Sequence, residues 1–255
     1  MRDARLAAAM LANPHALFAA SVLVAVGATD LRRTLLYVIC LVLAVTVHEF
    51  AHAFAAHKLG DPTPEGQGRL TLNPVAHADP IGTLVLPITM GLFNTGLLFG
   101  WGRPVQTQPR YYTRRVSMRG GMALVAFAGP LSNLLMALLV LLGVWIAALA
   151  GAHPTWLVGR ESPIPLFYML NVALFAFNLL PLHPLDGGKV LGWLLPARYD
   201  YVDEFLLRYG GFILFALVFA LPGVLGWLLS PFVDAGMWAY GHALSAGTSA
   251  VAGMR

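Results

Sequence analysis

Charged residues are scarce in this chain. Of its 255 residues only 11% are Asp, Glu, Lys or Arg, whereas soluble domains carry about 25%. Hydrophobic residues make up 58%, and the mean hydropathy is +0.71. This composition excludes an ordinary soluble domain. It predicts an integral membrane protein whose apolar runs are long enough to cross a bilayer.

Cysteine and long polar connections are also scarce. The one cysteine, Cys40, allows no disulfide within the chain, so the sequence says nothing about the redox compartment. The longest polar connection runs from 60 to 79, which is too short to hold a separate soluble domain. We therefore expect a single integral membrane domain over residues 1–255.

The basic residues do not indicate a nucleic-acid partner, although the formal net charge is +4. They lie between the apolar runs, where membrane topology places them. Clustered arginines there can meet anionic lipid head groups. The partner predicted by the charge pattern is the lipid bilayer.

One apolar run contains an ionisable motif. Glu49 is the only formal charge from 34 to 57, and it lies between His48 and His52 in the sequence HEFAH. A charge deep in a bilayer costs about 2.5–3.5 kcal/mol or more, so it needs a partner. On a helix, positions i and i+4 share one face, which suits two histidine ligands of one Zn²⁺ with Glu49 as general base.

A catalytic zinc ion takes three protein ligands and leaves one position for water. The run from 162 to 185 ends in NLLPLHPLDGG, where prolines and glycines break the helix beside Asp186. We prefer Asp186 as the third ligand because an ionised carboxylate beside that break needs a reason. His183 is the alternative, but its imidazole can be neutral and therefore does not need a metal partner.

The ligand positions constrain the topology. His48 and Asp186 must share one depth, and both lie toward the C-terminal ends of their segments. One complete crossing, 121–150, then separates them, and the broken segment 80–102 is expected either to dip into the membrane and return or to lie at the interface. All but three of the 16 lysines and arginines then lie on the active-site side, which makes that side cytoplasmic. The three exceptions are Arg32, Arg33 and Arg160.

Four signatures occur in order along the chain: HEFAH (48–52), GRLTLNPVAHADPIGTL (68–84), GPLSN (129–133) and NLLPLHPLDGG (178–188). Together they resemble the site-2 protease family of intramembrane zinc metalloproteases. The resemblance implies that His48, His52 and Asp186 bind zinc and that Glu49 activates water. It also implies that Asn178, eight residues before the metal Asp, contacts the substrate backbone.

The resemblance further implies an all-α polytopic fold with a catalytic core at about 34–190. Its three core helices would span about 34–58, 121–150 and 164–186, with a short β-strand or re-entrant segment between the first two. Flanking helices at 6–29, 207–229 and 231–249 would bring the total to about six. Many relatives carry PDZ or CBS domains, and this chain resembles a compact form that lacks both.

The GPLSN motif and the segment 68–73 can each be interpreted in two ways. Asn133 in GPLSN either supports helix packing, or binds substrate by donating to the oxyanion that forms during peptide hydrolysis. The alternation in 68–73 predicts a short strand that could pair with an unwound substrate, or else a turn-forming connector. His77 is expected to be structural or to support a metal ligand.

The leading functional hypothesis is zinc-dependent hydrolysis of peptide bonds within or near transmembrane segments of other membrane proteins. The alternatives are an ion or metal transporter and a silent relative that binds membrane proteins without cutting them. The expected location is a bacterial or archaeal plasma membrane.

Overall fold

The computed structural model describes residues 31–93, 99–151, 157 and 162–253. The predicted helix 6–29 lies outside these residues. The α-helices in chain order are α1 (Leu31–Lys58), α2 (Thr63–Gly66), α3 (Pro74–His77), α4 (Leu86–Leu92), α5 (Met118–Leu149), α6 (Pro163–Asn178), α7 (Asp186–Leu194), α8 (Asp200–Phe215) and α9 (Pro222–Gly253). Two π-helical segments, Pro80–Val85 and Ala216–Ala220, and two 3-10 turns, Pro109–Tyr111 and Ala197–Tyr199, complete the described elements.

The bundle is organised around α5. This helix packs against α1, α6, α7 and α9, while α1 also packs against α6. One core cluster joins Leu41, Ala44 and Val45 of α1 to Leu170 of α6. The three predicted core helices are therefore neighbours in the bundle.

Apolar residues cover the outside of the bundle as well as its core. Leu35, Ile39 and Leu43 are exposed on α1, and leucines, Trp145 and Ile146 are exposed along α5. A helix that is hydrophobic on all faces is typical of a membrane span. Exposure of this apolar surface is unfavourable in water, whereas contact with lipid tails is favourable.

By length and composition, two of the described helical stretches can cross a membrane, Arg32–Lys58 and Met118–Leu149. A third candidate is the pair Ala197–Ala220 and Pro222–Ala246, which is bent by 94° at its break. Helix α6 is apolar but has 16 residues, which is about 24 Å against a hydrocarbon core of about 30 Å. A polytopic membrane protein agrees with these helices, and the count of six spans stays a prediction.

The two described ends of the segment from 80 to 102 are joined by hydrogen bonds. Ala78 and Gly102 form an antiparallel bridge, and the Arg103 amide donates to the His77 carbonyl at 2.8 Å. Within the segment, Thr83 donates its hydroxyl hydrogen to the Trp101 carbonyl at 2.7 Å. The two ends of the segment therefore lie together, as the re-entrant prediction requires.

The predicted strand at 68–73 is wrong. The structure shows a turn, bends and extended residues there, and no strand occurs in the described part of the chain. Asn73 caps α3 by accepting a hydrogen bond from the Val75 amide. Arg69 is buried and donates to the carbonyls of Ala76 and Arg103. These local bonds stabilise the turn-forming connector, which was the alternative interpretation.

Several predicted helix ends are corrected. Helix α6 ends at Asn178 instead of 186, because the backbone turns before Pro181 and Pro184. The flanking region breaks at Leu221 instead of Ser230, so 207–229 is not one helix. Pro222 takes a first-turn position, where its missing N–H costs nothing, and α9 continues through Pro231.

Candidate metal centre

The imidazoles of His48 and His52 face each other on α1. Their Nε2 atoms are 3.0 Å apart, as the i, i+4 spacing predicts. Both side chains are buried, with 7% and 8% of their surfaces exposed. Two nitrogen atoms therefore point into one enclosed space.

Asp186 completes this group from another element. It is the first residue of α7, and its Oδ2 atom lies 3.2 Å from His48 Nε2 and 3.1 Å from His52 Nε2. Four ligands arranged tetrahedrally at about 2.0–2.1 Å from a zinc ion are separated by about 3.3 Å. The three atoms are thus spaced as zinc ligands would be.

The outer nitrogens of the two histidines fix their tautomers. The Nδ1–H of His48 donates to Asn133 Oδ1, and that of His52 donates to the Val125 carbonyl, each at 2.7 Å. Each Nε2 atom therefore directs a lone pair toward the other and toward the Asp186 carboxylate. Two neutral imidazoles and a carboxylate that converge in this way offer three electron pairs to one cation, so these residues fit zinc.

Asn133 is held by hydrogen bonds to neighbouring helices. It is fully buried, and its amide nitrogen donates to Asn171 Oδ1 at 2.9 Å and to the Ala44 carbonyl at 3.4 Å. Its donors bond to neighbouring helices and its oxygen accepts from His48, so these contacts match the helix-packing interpretation, and the substrate role stays a prediction. The residue holds a histidine in place.

Asn171 extends this network, and it was not among the residues predicted for the site. The side chain lies on α6, is fully buried, and donates from Nδ2 to the Phe167 carbonyl at 2.8 Å. A chain of hydrogen bonds thus joins α1, α5 and α6 behind His48. A buried Asn in an apolar run was the available signal, since such amides require partners.

Gly129 allows α5 to approach the histidines. A Cβ atom at this position would lie 2.4 Å from His52 Nε2 and 2.7 Å from His48 Cε1. Any larger residue would displace the imidazoles. The small residue of the GPLSN motif therefore has a direct part in shaping the site.

His183, the alternative third ligand, lies elsewhere. Its Nε2 atom is 3.0 Å from Asp203 Oδ1 on α8. Lys189 lies one turn after Asp186, with Nζ 3.7 Å from its Oδ1 atom. The structure therefore brings Asp186, and not His183, to the two histidines.

Glu49 lies beside the convergent nitrogens. A carboxylate oxygen of Glu49 and the ligand nitrogens of His48 and His52 all lie within 4.8 Å of one another. The side chain is 8% exposed, and its Oε2 atom accepts a hydrogen bond from the Val105 amide at 2.9 Å. This position suits a base that acts on a water molecule next to a metal ion.

The hydrogen bonds of Asn178 and His77 are to backbone carbonyls and not to the three convergent side chains. Asn178 is the last residue of α6, is partly exposed, and donates from Nδ2 to the Leu174 carbonyl at 3.0 Å. His77 is fully buried, and its Nε2–H donates to the Thr71 carbonyl at 2.7 Å. His77 is therefore structural, while the substrate contact of Asn178 stays a prediction.

A buried His–His–Asp group with an adjacent glutamate, set within apolar helices, defines a membrane metallopeptidase class of site. Comparison with known proteins gives the family. The profile of peptidase family M50 matches residues 142–221. YwhC of Bacillus subtilis, named as a zinc metalloprotease, is 38% identical over 209 residues, which cover 78% of this chain and 86% of YwhC.

A second relative supports the same assignment. Rip2 of Mycolicibacterium smegmatis, also named as a zinc metalloprotease, is 32% identical over 209 residues, covering 78% of this chain and 75% of Rip2. No solved structure matches the chain. The chain belongs to peptidase family M50, the site-2 protease family.

Proposed function

We propose that this chain is an intramembrane zinc metalloprotease that hydrolyses peptide bonds within or near transmembrane segments of other proteins. The observation that carries the proposal is the convergence of His48, His52 and Asp186 in a bundle with apolar outer surfaces. One zinc ion per chain fits that convergence. The transporter and silent-relative alternatives gain no support from the family.

Each polar residue has a distinct part in this proposal. His48, His52 and Asp186 would hold the zinc, which supplies a Lewis acid that acidifies water and polarises a carbonyl. Glu49 accepts the proton of the attacking water and delivers it to the departing amine nitrogen, so no proton is gained or lost overall. Asn133 and the Val125 carbonyl keep the imidazoles oriented.

A transmembrane substrate must expose its peptide bonds before they can be cut, because a helix hides them in its own hydrogen bonds. Asn178 lies at the C-terminal end of α6, eight residues before Asp186. Its side-chain oxygen and remaining N–H can bond an extended backbone that passes the zinc. Most lysines and arginines are predicted to lie on the side of the membrane where the active site is. This excess supports an active site that opens to the cytoplasm of a bacterial or archaeal cell.

The proposal is tested by comparing cells that express the wild-type chain with cells that express Glu49→Gln. Quantitative mass spectrometry of membrane peptides should detect cleavage fragments of membrane proteins with the wild-type chain and with Glu204→Gln but not with Glu49→Gln. Glu204→Gln is the matched control, because it makes the same change at an exposed position on α8. Identical peptide patterns for wild type and Glu49→Gln would reject a protease.

A further inference from the structure

Residues 99–105, which we name the strap, return from the re-entrant segment and lie along one face of α1. Leu41, Val45 and Glu49 follow one another on that face at intervals of four residues. A Cβ atom at Gly100 would lie 2.7 Å from Leu41 Cδ2, and one at Gly102 would lie 2.2 Å from Val45 Cγ1. Glycine at both positions therefore lets the strap reach the helix surface.

The other side of the strap is fixed by backbone hydrogen bonds. The Trp101 amide donates to the Gly82 carbonyl at 3.2 Å, and the Arg103 amide donates to the His77 carbonyl at 2.8 Å. The side chain of Arg69 also donates to the Arg103 carbonyl at 3.4 Å. The strap thus contacts α1 and is also bonded to the connector that contains Arg69 and His77 and to Gly82 in the first part of the re-entrant segment.

Pro104 limits the backbone at the position where the strap meets Glu49. Proline favours an extended conformation in the preceding residue, Arg103, and has no N–H of its own. The next amide, that of Val105, donates to Glu49 Oε2 at 2.9 Å. No other hydrogen bond to this carboxylate occurs among residues 31–93, 99–151 and 162–253.

We propose that the strap is a positioning device for Glu49: Gly102 seats it against Val45, and the Val105 amide holds one carboxylate oxygen. The second oxygen is then left to face the water and the scissile bond. This inference rests on the proposed function, in which Glu49 is the general base. It assigns a part in that function to Gly102 and Val105, two residues outside the histidine motif.

The first test changes the contact between Gly102 and Val45. Gly102→Ala should push the strap away from α1 and lower the cleavage rate by roughly tenfold to a hundredfold, as displacements of about 1 Å in active sites do. Zinc content should not change, because the hydrogen bonds and ion pairs of the three zinc ligands in the described part of the chain involve no residue of the strap. Val45→Ala removes the Cγ1 atom that the new methyl group meets, so the double variant should recover most of the rate of Val45→Ala alone.

Gly143→Ala is the matched control, since a Cβ at this position on α5 meets nothing within 4 Å. It should cleave at the wild-type rate. A Gly102→Ala variant that cleaves as fast as wild type would overturn the inference. So would a double variant that stays as slow as Gly102→Ala.

The second test measures the hydrogen bond between the Val105 amide and Glu49 and does not depend on a cleavage assay. Hydrogen exchange in the purified zinc-bound protein should be slow at the Val105 amide. Exchange there should become at least tenfold faster in Glu49→Ala but stay slow in Glu49→Gln, because the Gln side-chain oxygen still accepts. The Gln108 amide, which donates to Asp61 Oδ2, is the internal control.

The two tests separate the inference from the function on which it rests. Equal exchange at Val105 in wild type and Glu49→Ala would overturn the inference whether or not the chain is a protease. A wild-type chain that cuts no membrane protein would reject the proposed function. Faster exchange in Glu49→Ala would then show only that the strap holds Glu49.

Discussion

Replacement of Asn133 by Leu should weaken zinc binding more than it weakens the fold. The substitution nearly preserves side-chain volume but removes the oxygen that accepts from His48 Nδ1 at 2.7 Å. It also removes the donor to Asn171 Oδ1 at 2.9 Å. His48 then loses the partner that fixes its tautomer and the direction of Nε2.

The expected loss follows from the surroundings of these atoms. Removal of a group that orients a metal-ligating histidine lowers metal affinity by about 10- to 100-fold. This range corresponds to about 1.4–2.8 kcal/mol. Asn133 and Asn171 are both fully buried, so water cannot replace the missing bonds without rearrangement of the bundle.

Competition between the purified protein and a chelator of known affinity would measure this loss. Asn171→Leu is the graded comparison. It leaves the His48–Asn133 hydrogen bond in place and should reduce zinc affinity less than Asn133→Leu does. If Asn133→Leu binds zinc as tightly as wild type, or if both variants lose only thermal stability, Asn133 does not orient His48 for zinc binding.

Further outcomes follow from the same site. Asp186→Ala should lower zinc affinity strongly, whereas His183→Ala should leave it near the wild-type value; the opposite order in a zinc titration would return the third-ligand role to His183. Asn178→Ala should slow cleavage by roughly 5- to 100-fold, from the loss of about 1–3 kcal/mol of hydrogen bonding to substrate, with zinc content preserved. Equal losses of cleavage, zinc and thermal stability would mark Asn178 as structural. In a Cys40→Ala background, cysteine at position 114 should react with a membrane-impermeant reagent only from the cytoplasmic side, and labelling of intact cells from outside would refute the topology.

The parts of the site that depend on local geometry could be predicted from the sequence. A helix places residues four apart on one face, so His48 and His52 had to converge once their run was helical. Asp186 was selected by its position beside a helix break, and the structure places its carboxylate at both histidines. Charge in an apolar run was the decisive signal in each case.

The parts that depend on packing between helices could not be predicted. Nothing in the sequence pairs Asn133 with His48, since 85 residues separate them and the pairing requires the crossing of α5 and α1. The Val105 amide is a backbone group, which carries no residue-specific signal. Its partner is set by the position of the strap and not by the identity of the side chain.

The predicted strand at 68–73 and the predicted helix boundary at Ser230 were wrong because other local interactions determined the structure there. Alternation in 68–73 indicates a strand only if a neighbouring strand supplies hydrogen bonds, and here Asn73 and Arg69 satisfy nearby backbone groups instead. In the last helices both Pro222 and Pro231 could mark a boundary. The chain breaks before Pro222, which lies in the first turn of α9, and Pro231 remains inside the helix.

We have proposed that Glu49 acts as a base next to a zinc ion held by His48, His52 and Asp186. The most direct measurement compares zinc content and cleavage of a tagged single-span membrane protein for purified wild type and Glu49→Gln in lipid nanodiscs. We expect about one zinc per chain in both proteins, with cleavage by Glu49→Gln reduced by roughly 10²–10⁴-fold. Undiminished cleavage by Glu49→Gln, or cleavage by wild type that persists after complete removal of zinc, would contradict this proposal.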